Sequence, residues 1–115
     1  MTYTLIHNPG CSTSRKGLAL LQENGVEPTL RKYMNKSEQL SVDELKDIAA
    51  KMGDVSPRTF LRDKTAAEFD IPVDLDDAAL FQAMADNPKL IQRPIGINGD
   101  RAALGRPIDK LLEII

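Results

Sequence analysis

A single cysteine, Cys11, and a single histidine, His7, stand in a chain of 115 residues that has no tryptophan and only 4% aromatic residues. One thiol cannot close an internal disulfide, and one histidine with one cysteine cannot assemble the usual zinc combinations, so no bound metal is expected. No run approaches the roughly 18 apolar residues that a membrane-spanning helix needs, and Met1 to Asn8 shows no basic region followed by a long apolar stretch. The chain is therefore expected to be soluble and cytoplasmic, with no membrane partner. A dominant charge of either sign is also missing, since 15 Lys and Arg oppose 17 Asp and Glu for a net charge of −2. That balance gives no reason to expect nucleic acid as a partner, and any anion site has to be built locally. No internal repeat or low-complexity segment is present.

What is there suits one globular domain over residues 1–115, with 42% hydrophobic residues to fill one core. Thr2 to Ile6 is short and β-rich, and Asn8, Pro9 and Gly10 end it in a tight loop. Ser12 to Asn24 carries Leu18, Ala19 and Leu21 at helical spacing and stops at Asn24-Gly25. Thr29 to Tyr33 reads as a second strand, parallel to the first because a helix lies between them. Ser41 and Glu44 form a capping box before Leu45, Ile48 and Ala49, which predicts a helix running to Met52-Gly53. Ser56-Pro57 predicts a short helix through Phe60, Leu61 and Arg62. Asp76 or Asp77 opens another helix, with Leu80, Phe81 and Met84 on one face, ending near Asn87-Pro88. Ile95 to Ile97 and Arg101 to Leu104 read as a hairpin joined at Asn98-Gly99. After Gly105-Arg106-Pro107, a last helix carries Ile108, Leu111, Leu112 and Ile115. The order βαβ, helical insertion, ββα predicts an α/β, thioredoxin-like (glutaredoxin-like) fold with helices inserted between the two halves.

Chemistry rests on the stretch His7-Asn8-Pro9-Gly10-Cys11-Ser12-Thr13-Ser14-Arg15. A cysteine attacks as the thiolate, and Cys11 falls where the loop enters a helix, so free backbone N–H groups there stabilise an anion. The same geometry can hold an oxyanion beside the sulfur. Ser14 is placed to donate its hydroxyl to the thiolate, and Arg15 adds positive charge at the mouth. A lone cysteine is commonly just a small buried apolar residue. Glycine, proline and a helix start around Cys11 point the other way. His7 reads either as a structural hydrogen-bonding residue at a strand end or as a protonated imidazole that supports the thiolate.

His7-Asn8-Pro9-x-Cys11-x-x-Ser14-Arg15 resembles the signature of the ArsC-type, glutaredoxin-coupled arsenate reductase family. The likeness continues through Leu61-Arg62 after Ser56-x-Arg58, Arg93-Pro94-Ile95 after Leu90-Ile91, and Arg106-Pro107 after the hairpin, covering Thr4 to about Leu112. The chain resembles the short members of the family, which lack a C-terminal extension. The resemblance implies that Arg62, Arg93 and Arg106 converge on an anion near Cys11, where guanidinium forks suit tetrahedral oxyanions. It also implies a cis peptide bond before Pro94, a geometry found at only about 5–6% of X–Pro bonds.

The activity so implied is reduction of arsenate to arsenite through a covalent Cys11–arsenic adduct, with no bound cofactor. Because no second cysteine can resolve the adduct, glutathione as co-substrate and glutaredoxin as partner would supply the electrons. The chain is expected to act as a monomer. Two other functions share the fold. One is an Spx-like regulator that binds RNA polymerase, although Ser14 replaces the second cysteine of its usual Cys-x-x-Cys switch. The other is a monothiol glutathione-dependent oxidoreductase acting on another substrate.

Overall fold

Four strands and four α-helices make up the regular structure of residues 2–115, which the computed structural model describes, together with several 3-10 turns. In chain order they are β1 (Tyr3–Ile6), α1 (Ser12–Glu23), β2 (Thr29–Arg31), α2 (Val42–Lys51), α3 (Asp63–Glu68), α4 (Asp77–Asp86), β3 (Ile95–Asn98) and β4 (Arg101–Leu104). The strands form one sheet in the order β2-β1-β3-β4. β1 pairs parallel with β2 and antiparallel with β3, and β3 pairs antiparallel with β4. This is a thioredoxin-like fold, with α2, α3 and α4 inserted between its halves. Among the described residues no helix is long and apolar enough to cross a membrane.

Side chains alternate along a strand, so the sheet has two apolar faces. Tyr3 and Leu5 of β1 pack with Leu21, Leu111 and Ile114, which places α1 and the C-terminal segment on one face. Ile6 and Ile95 face the other way and join Leu45, Ile48, Phe60, Leu80 and Met84 of the insertion. Local signals set where the helices begin and end. Gly25, at φ 79°, turns the chain after α1, and the Val26 N–H reaches the Leu21 carbonyl at 2.9 Å. The capping box of α2 forms as read, with the Glu44 N–H donating to Ser41 Oγ and the Ser41 N–H donating to Glu44 Oε1, both at 3.1 Å. Glu44 also receives Arg31 from β2 at 2.8 and 3.1 Å, which ties the edge strand to the helix start.

Several elements differ from the sequence reading. The helix expected from Ser56-Pro57 is a 3-10 turn, Pro57–Phe60, because Leu61 leaves it to make an antiparallel bridge with Ile91. Arg62 is then the N-cap of α3, a helix the periodicity did not reveal. The second strand stops at Arg31, two residues short of Tyr33. The last helix is a 3-10 segment, Ile108–Ile114. In the hairpin, Asn98 pairs with Arg101, so Gly99, at φ 64°, and Asp100 make the turn.

Gly96 in β3 lies directly beneath the Tyr3 phenol, whose hydroxyl donates to the Leu111 carbonyl at 2.8 Å. A Cβ at Gly96 would overlap the Tyr3 hydroxyl end and sit 3.1 Å from Leu111 Cδ2. Gly96→Ala is therefore expected to lower the unfolding free energy by about 3 kcal/mol, the upper end for an overpacked core. Urea denaturation checks this. An unchanged midpoint would mean that the Tyr3 ring gives way without cost.

Candidate active site

The loop between β1 and α1 is held by its own hydrogen bonds. The Cys11 N–H donates to the Asn8 carbonyl at 2.9 Å, and the Gly10 N–H donates to Asn8 Oδ1 at 3.0 Å. Arg15 Nη1 reaches back to the Pro9 carbonyl at 2.8 Å. Cys11 is the N-cap of α1 in extended conformation, which sets its sulfur at the helix start. The thiol is partly buried.

Burial pushes the Cys11 thiol up, and three neighbours outweigh it: the Ser14 N–H, the Arg93 guanidinium and the Thr13 N–H. The result is a fall from 9.0 to about 6. Helix N–H groups and a fixed cation are the usual causes of such a shift. Alkylation by iodoacetamide is expected to rise with pH around a midpoint near 6 and to level off above it. At pH 7 that leaves about ten thiolates per thiol. A midpoint near 9, the ordinary value, would overturn this reading of the loop.

The other residues singled out from the sequence fall into place differently. Ser14 is fully buried, and its hydroxyl accepts the Asn8 N–H at 3.4 Å. It is the Ser14 backbone N–H that supports the sulfur, in place of the expected hydroxyl. His7 is 3% exposed with its Nδ1 unpartnered. Burial, then the charges of Lys32 and Arg15, lower its pKa, so the expected supporting imidazolium is not favoured. Arg15 is spent on the Pro9 carbonyl, where it braces the loop.

The three distant arginines arrive by three routes. Arg93 is 9% exposed, lies against Cys11, and precedes a cis bond to Pro94. A second cis bond, Arg106–Pro107, has no counterpart in the sequence reading. Pro94 packs where α1 has no side chain, since a Cβ on Gly17 would lie 3.0 Å from Pro94 Cγ. Arg62 donates to Thr65 Oγ1 at 3.2 Å, and its charge acts on the Tyr33 hydroxyl. Arg106 Nε donates to the Arg93 carbonyl at 2.9 Å, so it grips the main chain of the arginine beside the sulfur. An ionised sulfur next to helix N–H groups and a guanidinium suits attack on an electrophile that itself carries negative charge.

Residues 6–114 match the model of the ArsC family. The chain belongs to the ArsC family. This ArsC-family chain is similar to the arsenate reductase of Haemophilus influenzae, at 42% identity with all of both chains covered. It is 40% identical to the uncharacterized protein YfgD of Escherichia coli, over 96% of this chain and 94% of that one. Among solved structures, the arsenate reductase from Vibrio cholerae superposes with a TM-score of 0.90 at 41% identity, covering 100% of this chain and 98% of that one.

One site residue escaped the sequence reading. Tyr33 is fully buried, its hydroxyl donates to the Ile91 carbonyl at 3.4 Å, and the charges of Arg93, Cys11 and Arg62 act on it. The only signal was register. Ile6 pairs with Arg31, and the His7 N–H bonds the Arg31 carbonyl at 2.9 Å, so residues just after Arg31 run beside the loop that leads to Cys11.

Proposed function

We propose that this ArsC-family chain is an arsenate reductase in which Cys11 is the nucleophile and glutathione with glutaredoxin supplies the electrons. The observation that carries the reading is the position of Cys11 at the N-terminus of α1, where the helix N–H groups and Arg93 lower its pKa to about 6. Its 42% identity to an arsenate reductase supports arsenate as the oxyanion. The α1 N-terminus, Arg62, Arg93 and Arg106 hold the arsenate oxygens, with no bound cofactor. The Cys11 thiolate attacks As(V), an S–As bond forms, and one oxygen leaves as water after protonation. A glutathione thiol adds to the same arsenic and expels a second water. A glutaredoxin thiolate then takes the glutathione sulfur as a mixed disulfide, and the pair of the broken S–As bond stays on arsenic, which becomes As(III). Water displaces Cys11, releasing arsenite and the thiolate. Two thiols are oxidised for each arsenate reduced. The enzyme acts as a monomer in the cytoplasm.

The test is arsenite production by the purified protein with arsenate, glutathione and glutaredoxin. Turnover is expected, and it stops when glutaredoxin is omitted. No arsenite from a protein whose Cys11 is fully alkylatable would remove arsenate as substrate. Activity on mixed disulfides alone would then favour the monothiol oxidoreductase.

A further inference from the structure

The chain has two tyrosines, both buried, and each bonds a backbone carbonyl. Tyr3 serves the sheet face away from the insertion, through Leu111. Tyr33 donates to the Ile91 carbonyl at 3.4 Å, on the other face. Ile91 belongs to a short antiparallel bridge with Leu61. Two hydrogen bonds flank that bridge, Arg62 N–H to the Leu90 carbonyl at 2.8 Å and Gln92 N–H to the Phe60 carbonyl at 2.7 Å. The bridge thus carries Arg62 on one strand and leads directly to Arg93 on the other. Tyr33 extends from the segment just after β2 to this bridge.

Arg93 needs such a tether. It is nearly buried, its Nε has no partner, and the two ion pairs found among the described residues, Arg31–Glu44 and Lys51–Asp47, leave it without a carboxylate. A buried guanidinium with unmet donors is costly unless neutral or anionic oxygen or sulfur atoms receive it. The charge of Arg93 acts on two such atoms, the Cys11 sulfur and the Tyr33 hydroxyl oxygen, and that hydroxyl is anchored at the Ile91 carbonyl, two residues before Arg93. We propose that Tyr33 is a positioning residue, whose hydroxyl oxygen accepts from Arg93 and passes its own proton's bond to the Ile91 carbonyl, fixing the guanidinium against Cys11. The groups facing Tyr33 are Arg93, Cys11 and Arg62, and those facing Cys11 are Arg93 and the N–H groups of Ser14 and Thr13. The inference rests on Cys11 being the reacting thiol but not on the identity of the oxyanion.

The experiment compares Tyr33→Phe with Tyr3→Phe. Each loses one buried hydroxyl-to-carbonyl bond, so a purely structural role predicts similar stability losses and no change at the sulfur. If Tyr33 positions Arg93, the iodoacetamide midpoint of Tyr33→Phe moves up by about one unit, a tenfold fall in the thiolate-to-thiol ratio. Tyr3→Phe keeps the wild-type midpoint. A folded Tyr33→Phe with the wild-type midpoint would overturn the proposal. A second measurement does not depend on that variant folding. With 3-fluorotyrosine incorporated in the Tyr3→Phe background, the fluorine resonance of Tyr33 is expected to titrate with the Cys11 midpoint and to lose that step in Cys11→Ser. A resonance indifferent to Cys11 would equally overturn it. Absent arsenate turnover with a Tyr33-dependent midpoint removes only the substrate, whereas turnover with an indifferent midpoint removes only the tether.

Discussion

Cys11→Ser is expected to lower arsenate turnover by about three orders of magnitude or more, as for an enzyme that loses its nucleophile. The hydroxyl stays protonated where the thiol is ionised, and an alkoxide cannot take the place of sulfur in the S–As bond. The fold should survive, because serine is a preferred N-cap and Cys11 occupies that position. Stability against pH then isolates the thiolate. The folded pKa of about 6 lies below the ordinary 9.0, so Cys11 contributes stability that is present in full above the upper value. It is lost as pH falls through the lower one. Denaturation midpoints measured across this window should rise with pH more steeply in the wild type than in Cys11→Ser. Full turnover by the serine variant would remove the covalent mechanism.

Arg93→Ala carries the second large effect, because it removes two things at once. The sulfur loses its neighbouring cation, so the alkylation midpoint rises above about 6. The oxyanion loses a positioned donor, a loss expected to lower turnover by about 10²–10³-fold. Arg93→Lys separates the two. A lysine ammonium restores a point charge near the sulfur and brings the midpoint part of the way back. It cannot supply the planar fork, so turnover should recover far less. An unchanged alkylation midpoint in Arg93→Ala would place Arg93 outside the active site.

The parts of the site that could be read from the sequence are those held by contacts a few residues long. Asn8, Pro9 and Gly10 end β1, and the bonds from Gly10 and Cys11 back to Asn8 close the loop, so Cys11 had to fall at the start of α1. The helix caps and stops are of the same kind. The Asp76 carboxylate, for example, accepts the Ala79 N–H at 2.8 Å and opens α4. Even here, local reading misjudged direction. Ser14 lies three residues from Cys11, but whether its hydroxyl or its N–H faces the sulfur depends on the helix that forms between them.

The placement of Arg62 shows where local reading ends. A helix through Arg62 was the natural continuation of Ser56-Pro57, yet a bridge to Ile91, far along the chain, stops the turn and makes Arg62 the cap of α3. His7 is a second case. Its neutral state follows from burial and from the charges of Lys32 and Arg15, and of these two only Arg15 is close to it in the chain.

The sequence by itself determined the placing of Cys11 at a helix start, the order of the four strands and of α1, α2 and α4 among them, and, since the chain has one cysteine, that no disulfide closes within it. These follow from hydrogen bonds and periodicities that span a few residues. Only the tertiary structure decided that Arg93 acts on the sulfur, that Arg106 grips the Arg93 main chain, and that Tyr33 reaches the Ile91 carbonyl, two residues before Arg93. Each of those depends on sheet register and burial, which bring together residues from opposite ends of the chain and set their charges by what surrounds them.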